Sequence, residues 1–126
     1  MQYICVFAGS KMGNDPTFKQ VAHTLGAAIA SKGWGLVYGG AQAGLMGAVA
    51  NGALEQGGQV IGVIPRGLWP MEENHQRLHI LYEVENIQER KAWMAQLSAG
   101  FIALPGGLGT FDELFEIITW AQLGLH

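Results

Sequence analysis

The chain has 126 residues, 49% of them apolar and 19 of them glycine, and carries a formal net charge of −3. That is enough chain to bury a hydrophobic core as one domain over residues 1–126, and the glycine content speaks for many tight strand–helix turns rather than a helical bundle. Without a basic run or a Lys/Arg stripe, a nucleic-acid groove is excluded as the main business, whereas a small anion held by backbone N–H groups is not.

From the N-terminus, Tyr3–Ala8 reads as a buried strand, followed by the loop Gly9–Pro16. Pro16 can open a helix, and Phe18, Val21, Ala22, Leu25, Ala28 and Ile29 carry a helical period as far as Lys32, where Gly33 ends it. Gly35–Tyr38 is a second strand, and GGAQAGLMG leads into an Ala-rich helix ending near Gly57. Val60–Pro65 is a third strand. Arg66–Gln76 has no periodicity and reads as a surface excursion, and Leu78–Val84 is a short strand. Asn86 is placed to cap a helix running to about Ser98, Phe101–Pro105 is the next buried strand, and Thr110–Leu123 is a helix closed by Gly124. Repeated strand–helix units with continuous apolar strands predict an α/β, Rossmann-like, doubly wound parallel sheet flanked by helices. Such a sheet normally adds another strand–helix unit after Gly124, so the C-terminal part of the domain is expected to be missing from this chain.

Cys5 stands inside an apolar run and can form no internal disulfide, so nothing points to secretion, and it reads as a small buried hydrophobe. The chain opens without a charged segment followed by a long apolar one, and no apolar stretch approaches the about 20 residues of a membrane span. A cytoplasmic protein without membrane contact is expected. His23, His75, His79 and His126 show no metal-ligand spacing, so neither metal nor cofactor is expected. Trp34, Trp93 and Trp120 are expected to pack the helices, and Trp69 could cover a ligand base.

Three glycine-rich loops follow strands, at Gly9–Gly13, Gly39–Gly47 and Gly106–Gly109, and none matches a dinucleotide or Walker A fingerprint. PGGLGT is the most specific. Gly106 and Gly107 let the backbone turn off the strand, Gly109 admits an anion close to the chain, and Thr110 adds a hydroxyl at a helix N-terminus. This predicts a mononucleotide or sugar-phosphate site. Thr110 and Glu113 also have capping-box spacing, so Glu113 stands between helix cap and catalyst. Arg90 and Lys91, among Gln88 and Glu89, read by themselves as a solvated helix face, and Met94 and Leu97 as core or pocket wall.

ERK-x-x-M at Glu89–Met94, followed by FIALPGGLGTFDELFEIITWAQLG at Phe101–Gly124, closely resembles the LOG (Lonely Guy) family, cytokinin riboside 5′-monophosphate phosphoribohydrolases often mislabelled as lysine decarboxylases. CVFAGSKMG and VYGGAQAGLMGAVA resemble two further loops of that family, so the likeness runs along essentially the whole chain. It implies hydrolysis of the N-glycosidic bond of a nucleoside 5′-monophosphate to free base and ribose 5-phosphate. It places Arg90 and Glu113 on the catalytic arginine and glutamate, with Lys91 beside that arginine. Gly106, Gly107, Gly109 and Thr110 fall on the phosphate loop, Ser10 and Gly40 on loops lining the same pocket, and Met94 on the substrate side. It further implies a homodimer with the active site close to the subunit interface. Asp112 stands where the family commonly has Glu, Ala8 and Ala41 where Cys or Gly is common, and the last third of the family's length is absent. The chemistry suits the residues, since a carboxylate near C1′ favours an oxocarbenium-like state. A decarboxylase would need a Schiff-base lysine in a pyridoxal phosphate context, and the lysines here have none. Two further readings differ in class or substrate: a broader nucleoside-monophosphate nucleosidase, and a non-catalytic carrier of a nucleotide-like group such as the molybdenum cofactor. The Arg90–Lys91 pair with Glu113 is what a carrier would not require.

Overall fold

The computed structural model of the chain describes residues 1–9, 16–67 and 77–104. The expected helix over Thr110–Leu123, the PGGLGT loop, Ser10, Trp69, His75, Trp120 and His126 lie outside the described residues.

Within them the chain runs β1 (Tyr3–Phe7), α1 (Pro16–Ser31), β2 (Gly35–Tyr38), α2 (Gly44–Glu55), β3 (Val60–Pro65), β4 (Ile80–Val84), α3 (Ile87–Leu97) and β5 (Gly100–Ala103). All five strands are parallel, in the order β4-β3-β2-β1-β5. The chain therefore steps outward from β1 to β4 and then returns to the other side of β1. The reversal lies between β1 and β5, where Leu104 N–H donates to Phe7 O at 2.8 Å. In open α/β sheets the carboxyl ends at such a reversal form the ligand crevice. Each of those two strands leads directly into a glycine-rich segment of the sequence, at Gly9 and at Gly106.

β2 and β3 are apolar throughout because successive side chains point to opposite faces and both faces are covered, whereas β5, expected as a buried strand, leaves Ile102 exposed, as β4 leaves Leu81. Val6, Leu36, Tyr38 and Val60 join α1 and α2 residues such as Ala22, Ile29 and Val49 in one core layer. The alternate residues Cys5, Phe7, Val37, Ile61 and Val63 join Met94 and Ala95 of α3 in the other. Cys5 is fully buried, as an apolar cysteine in a parallel strand should be.

Several expectations need correction. The apolar period of α1 covers more than its buried face: Ala22, Gly26 and Ile29 turn inward, while Phe18 and Val21 are exposed. The inward stripe is narrow because α1 crosses α2 at backbone contact, where a Cβ on Gly26 would lie 1.9 Å from Val49 O. Trp34 does not pack between helices; it is exposed, with Lys32 Nζ 5.8 Å from its ring centroid. Trp93 packs α3 against a strand, its ring centroid 5.0 Å from that of Tyr82 in β4. The fourth strand begins at Ile80 rather than Leu78, and β5 spans Gly100–Ala103 rather than running to Pro105.

Candidate functional site

The site is built from the start of α3 inward. Asn86 is the N-cap, its side chain accepting from Glu89 N–H at 2.8 Å, and the Glu89 carboxylate reaches back to Glu85 N–H at 3.4 Å. This reciprocal arrangement is a capping box displaced by one residue, and it fixes where the helix begins. Arg90 and Lys91 follow immediately, at helix positions aligned with Met94 and Ala95 one turn later. Those four are the buried residues of α3.

Arg90 and Lys91 are therefore not a solvated face. They are 8% and 7% exposed, because the sheet covers the side of α3 on which they stand. A buried charge persists only where hydrogen bonds replace its water. Arg90 Nε donates to Val63 O at 3.0 Å and Nη2 donates to Gly39 O at 2.8 Å. The guanidinium thus ties α3 to the carboxyl-end half of β3 and to the residue that follows β2. Charge-assisted bonds from a planar fork are stronger and more directional than neutral ones, so the group is held in one orientation.

The turn after β2 is shaped around it. Gly40 has φ +88°, the left-handed region, and reverses the chain there. The Tyr38 hydroxyl, on a ring without exposed surface, donates to Ala41 O at 2.8 Å across the turn. Burial pushes the Tyr38 phenol far above the ordinary tyrosine range, which leaves it a neutral donor. Met46 N–H, in the first turn of α2, donates to Gly9 O at 3.2 Å and so ties the loop after β1 to the same region.

Of the residues expected at the site, the structure brings Gly40 and Arg90 to one end of the sheet, and Lys91 is buried beside Arg90 on α3. Met94 lies one turn further along α3, 1% exposed, in the core layer with Cys5 and Phe7. Ser10, Gly106, Gly107, Gly109, Thr110 and Glu113 lie outside the described residues. Gly39, the Val63 carbonyl and Tyr38 escaped the sequence reading. The available signal was the doubled glycine after β2, one more than a turn needs. Arg90 brings a buried cation to the carboxyl ends of β2 and β3, and Lys91 is buried next to it on α3. Among the described residues, no three His, Cys, Asp or Glu side chains gather as a metal site, and no helix is long and apolar enough to cross a membrane.

Comparison with known proteins shows the family and the fold. A family model described as possible lysine decarboxylase matches residues 46–126. A cytokinin riboside 5′-monophosphate phosphoribohydrolase of Rhodococcoides fascians is 48% identical over 98% of this chain and 63% of its own length. The rice enzyme of the same name, from Oryza sativa subsp. japonica, is 46% identical over 98% of this chain and 51% of its own length. This chain thus spans less than two thirds of these relatives. Among solved structures, the molybdenum cofactor carrier protein of Chlamydomonas reinhardtii superposes with a TM-score of 0.81 at 30% identity, covering 94% of this chain and 71% of that one. The chain belongs to the possible lysine decarboxylase family, the family of the LOG proteins.

Proposed function

We propose that this protein is a phosphoribohydrolase that cleaves the N-glycosidic bond of nucleoside 5′-monophosphates. Its substrates are N6-modified adenosine monophosphates such as isopentenyl-AMP, together with AMP, and its products are the free base and ribose 5-phosphate. The observation that carries the reading is the buried Arg90, held by two backbone carbonyls at the carboxyl end of the sheet, in a chain 48% identical to an enzyme named for this reaction.

In this reading the phosphate sits on Gly106, Gly107, Gly109 and Thr110, which lie beyond the end of β5, and supplies remote binding energy that positions the ribose. Glu113 stabilises the positive charge developing at C1′ or activates the attacking water. Arg90 holds the substrate with a charge that needs no reorientation when the bond breaks. Ser10, Gly40, Lys91 and Met94 complete the pocket. The protein works in the cytoplasm as a homodimer with the active site close to the subunit interface, and needs no cofactor.

A second reading, a carrier of a nucleotide-like group such as the molybdenum cofactor, is favoured by the likeness to the Chlamydomonas carrier protein. Purified protein is incubated with AMP and with isopentenyl-AMP, and free base is followed by chromatography. Base release supports the hydrolase, and nucleotide binding without release supports the carrier. Glu113→Gln should lower kcat by about 10²–10⁴-fold with the fold intact, the range for a lost acid–base group. A Glu113→Gln protein that fails to fold would instead make Glu113 a helix cap.

A further inference from the structure

Gly39 is a glycine that its own backbone does not require. Its φ is not among the positive ones, whereas that of its neighbour Gly40 is, so the reversal of the chain is already accounted for. What forbids a side chain is its surroundings. A Cβ on Gly39 would lie 2.1 Å from Arg90 Nη2, 3.2 Å from Arg90 Cζ and 2.7 Å from Met46 Sδ. The guanidinium occupies the space where that side chain would be, and the carbonyl of the same residue receives its hydrogen bond. Two residues on, the Ala41 carbonyl is held by the Tyr38 hydroxyl, so the turn carrying the Gly39 carbonyl is itself fixed.

From this geometry we infer that Gly39 and Tyr38 are positioning residues for Arg90. The missing side chain admits the guanidinium against the backbone, and the Tyr38 hydroxyl, by holding the Ala41 carbonyl, fixes the turn that carries the Gly39 carbonyl. The functional half of this inference rests on the proposed role of Arg90 in glycosidic cleavage; the geometric half does not.

The test is a set of variants in the whole chain: Gly39→Ala, Arg90→Ala, the two together, and Tyr38→Phe as the milder change should Gly39→Ala not fold. Three readouts are used: the thermal midpoint, kcat and KM for base release from isopentenyl-AMP, and the Arg90 Nε–H signal by NMR. Gly39→Ala should displace the Arg90 signal and lower kcat on the order of a hundredfold, the scale of a misplacement of about 1 Å, with KM changed much less. Adding Arg90→Ala to Gly39→Ala should raise the thermal midpoint, because the clash is relieved, and should restore no turnover. Tyr38→Phe should speed exchange of the Arg90 Nε–H proton and lower kcat more than it raises KM.

Wild-type turnover and an unmoved Arg90 signal in Gly39→Ala would overturn the inference. So would a stability defect repaired by Met46→Ala and not by Arg90→Ala. If the wild type releases no base, the proposed reaction fails, and the midpoint and NMR signals still decide whether Gly39 and Tyr38 place Arg90.

Discussion

Replacing Arg90 by lysine keeps the buried charge and removes the fork, which isolates what the geometry contributes. The guanidinium serves Val63 O at 3.0 Å and Gly39 O at 2.8 Å from two different nitrogens. An ammonium concentrates its donors at one point, so it serves one of these carbonyls and abandons the other. A lost hydrogen bond to a charged group costs about 1.5–3 kcal/mol. At roughly 2.1 cal/mol/K per residue, 126 residues have an unfolding entropy of about 265 cal/mol/K, so the midpoint should fall by about 6–11 °C. Thermal unfolding followed by near-UV circular dichroism measures this, with the packed Tyr82–Trp93 pair as the native reporter. Base release from isopentenyl-AMP should fall in the same variant, because the lysine charge is no longer held against β2 and β3. A midpoint equal to that of the wild type would refute the claim that the two carbonyls hold the guanidinium.

Other perturbations probe the frame around it. Asn86→Ala removes the side chain that accepts from Glu89 N–H and should cost about 1 kcal/mol, read as a lower denaturant midpoint with an unchanged slope. Leu36→Ala empties a fully buried position between the sheet and the α1–α2 pair and should cost about 2–5 kcal/mol in urea unfolding. Tyr38 holds its proton far above the ordinary range in the folded state and releases it at about pH 10 when unfolded. Its contribution to stability is therefore complete below pH 10 and declines above it, by about 1.4 kcal/mol per pH unit. Tyr38→Phe should lose stability less steeply on the alkaline side, and equal slopes in the two proteins would contradict the assignment.

Much of this molecule is written in local pattern. Short β-branched apolar runs between glycine turns, such as Val60–Pro65, read as strands buried on both faces, and Pro16, Gly33, Asn86 and Gly57 mark helix ends through φ preferences and caps that act within a few residues. The described strands and helices lie close to where those signals place them, with Ile80 and Ala103 differing by a residue or two because strand ends are set by the neighbouring ladder. The family, too, was legible from Glu89–Met94 and the PGGLGT segment.

Only the tertiary structure decided which faces are covered. In α1 the apolar period includes Phe18 and Val21, yet contact with α2 at Gly26 leaves both outside. In α3 the opposite holds, since Arg90 and Lys91 look like a solvated pair and stand on the side that the sheet covers. Periodicity reports where side chains lie around a helix, and it cannot say which side meets the sheet when that side carries charge. Two partners of Arg90 are backbone carbonyls 27 and 51 residues away in sequence, which no side-chain pattern announces. The doubled glycine at Gly39–Gly40 was the visible trace of that contact, and its meaning came from the guanidinium lying against it.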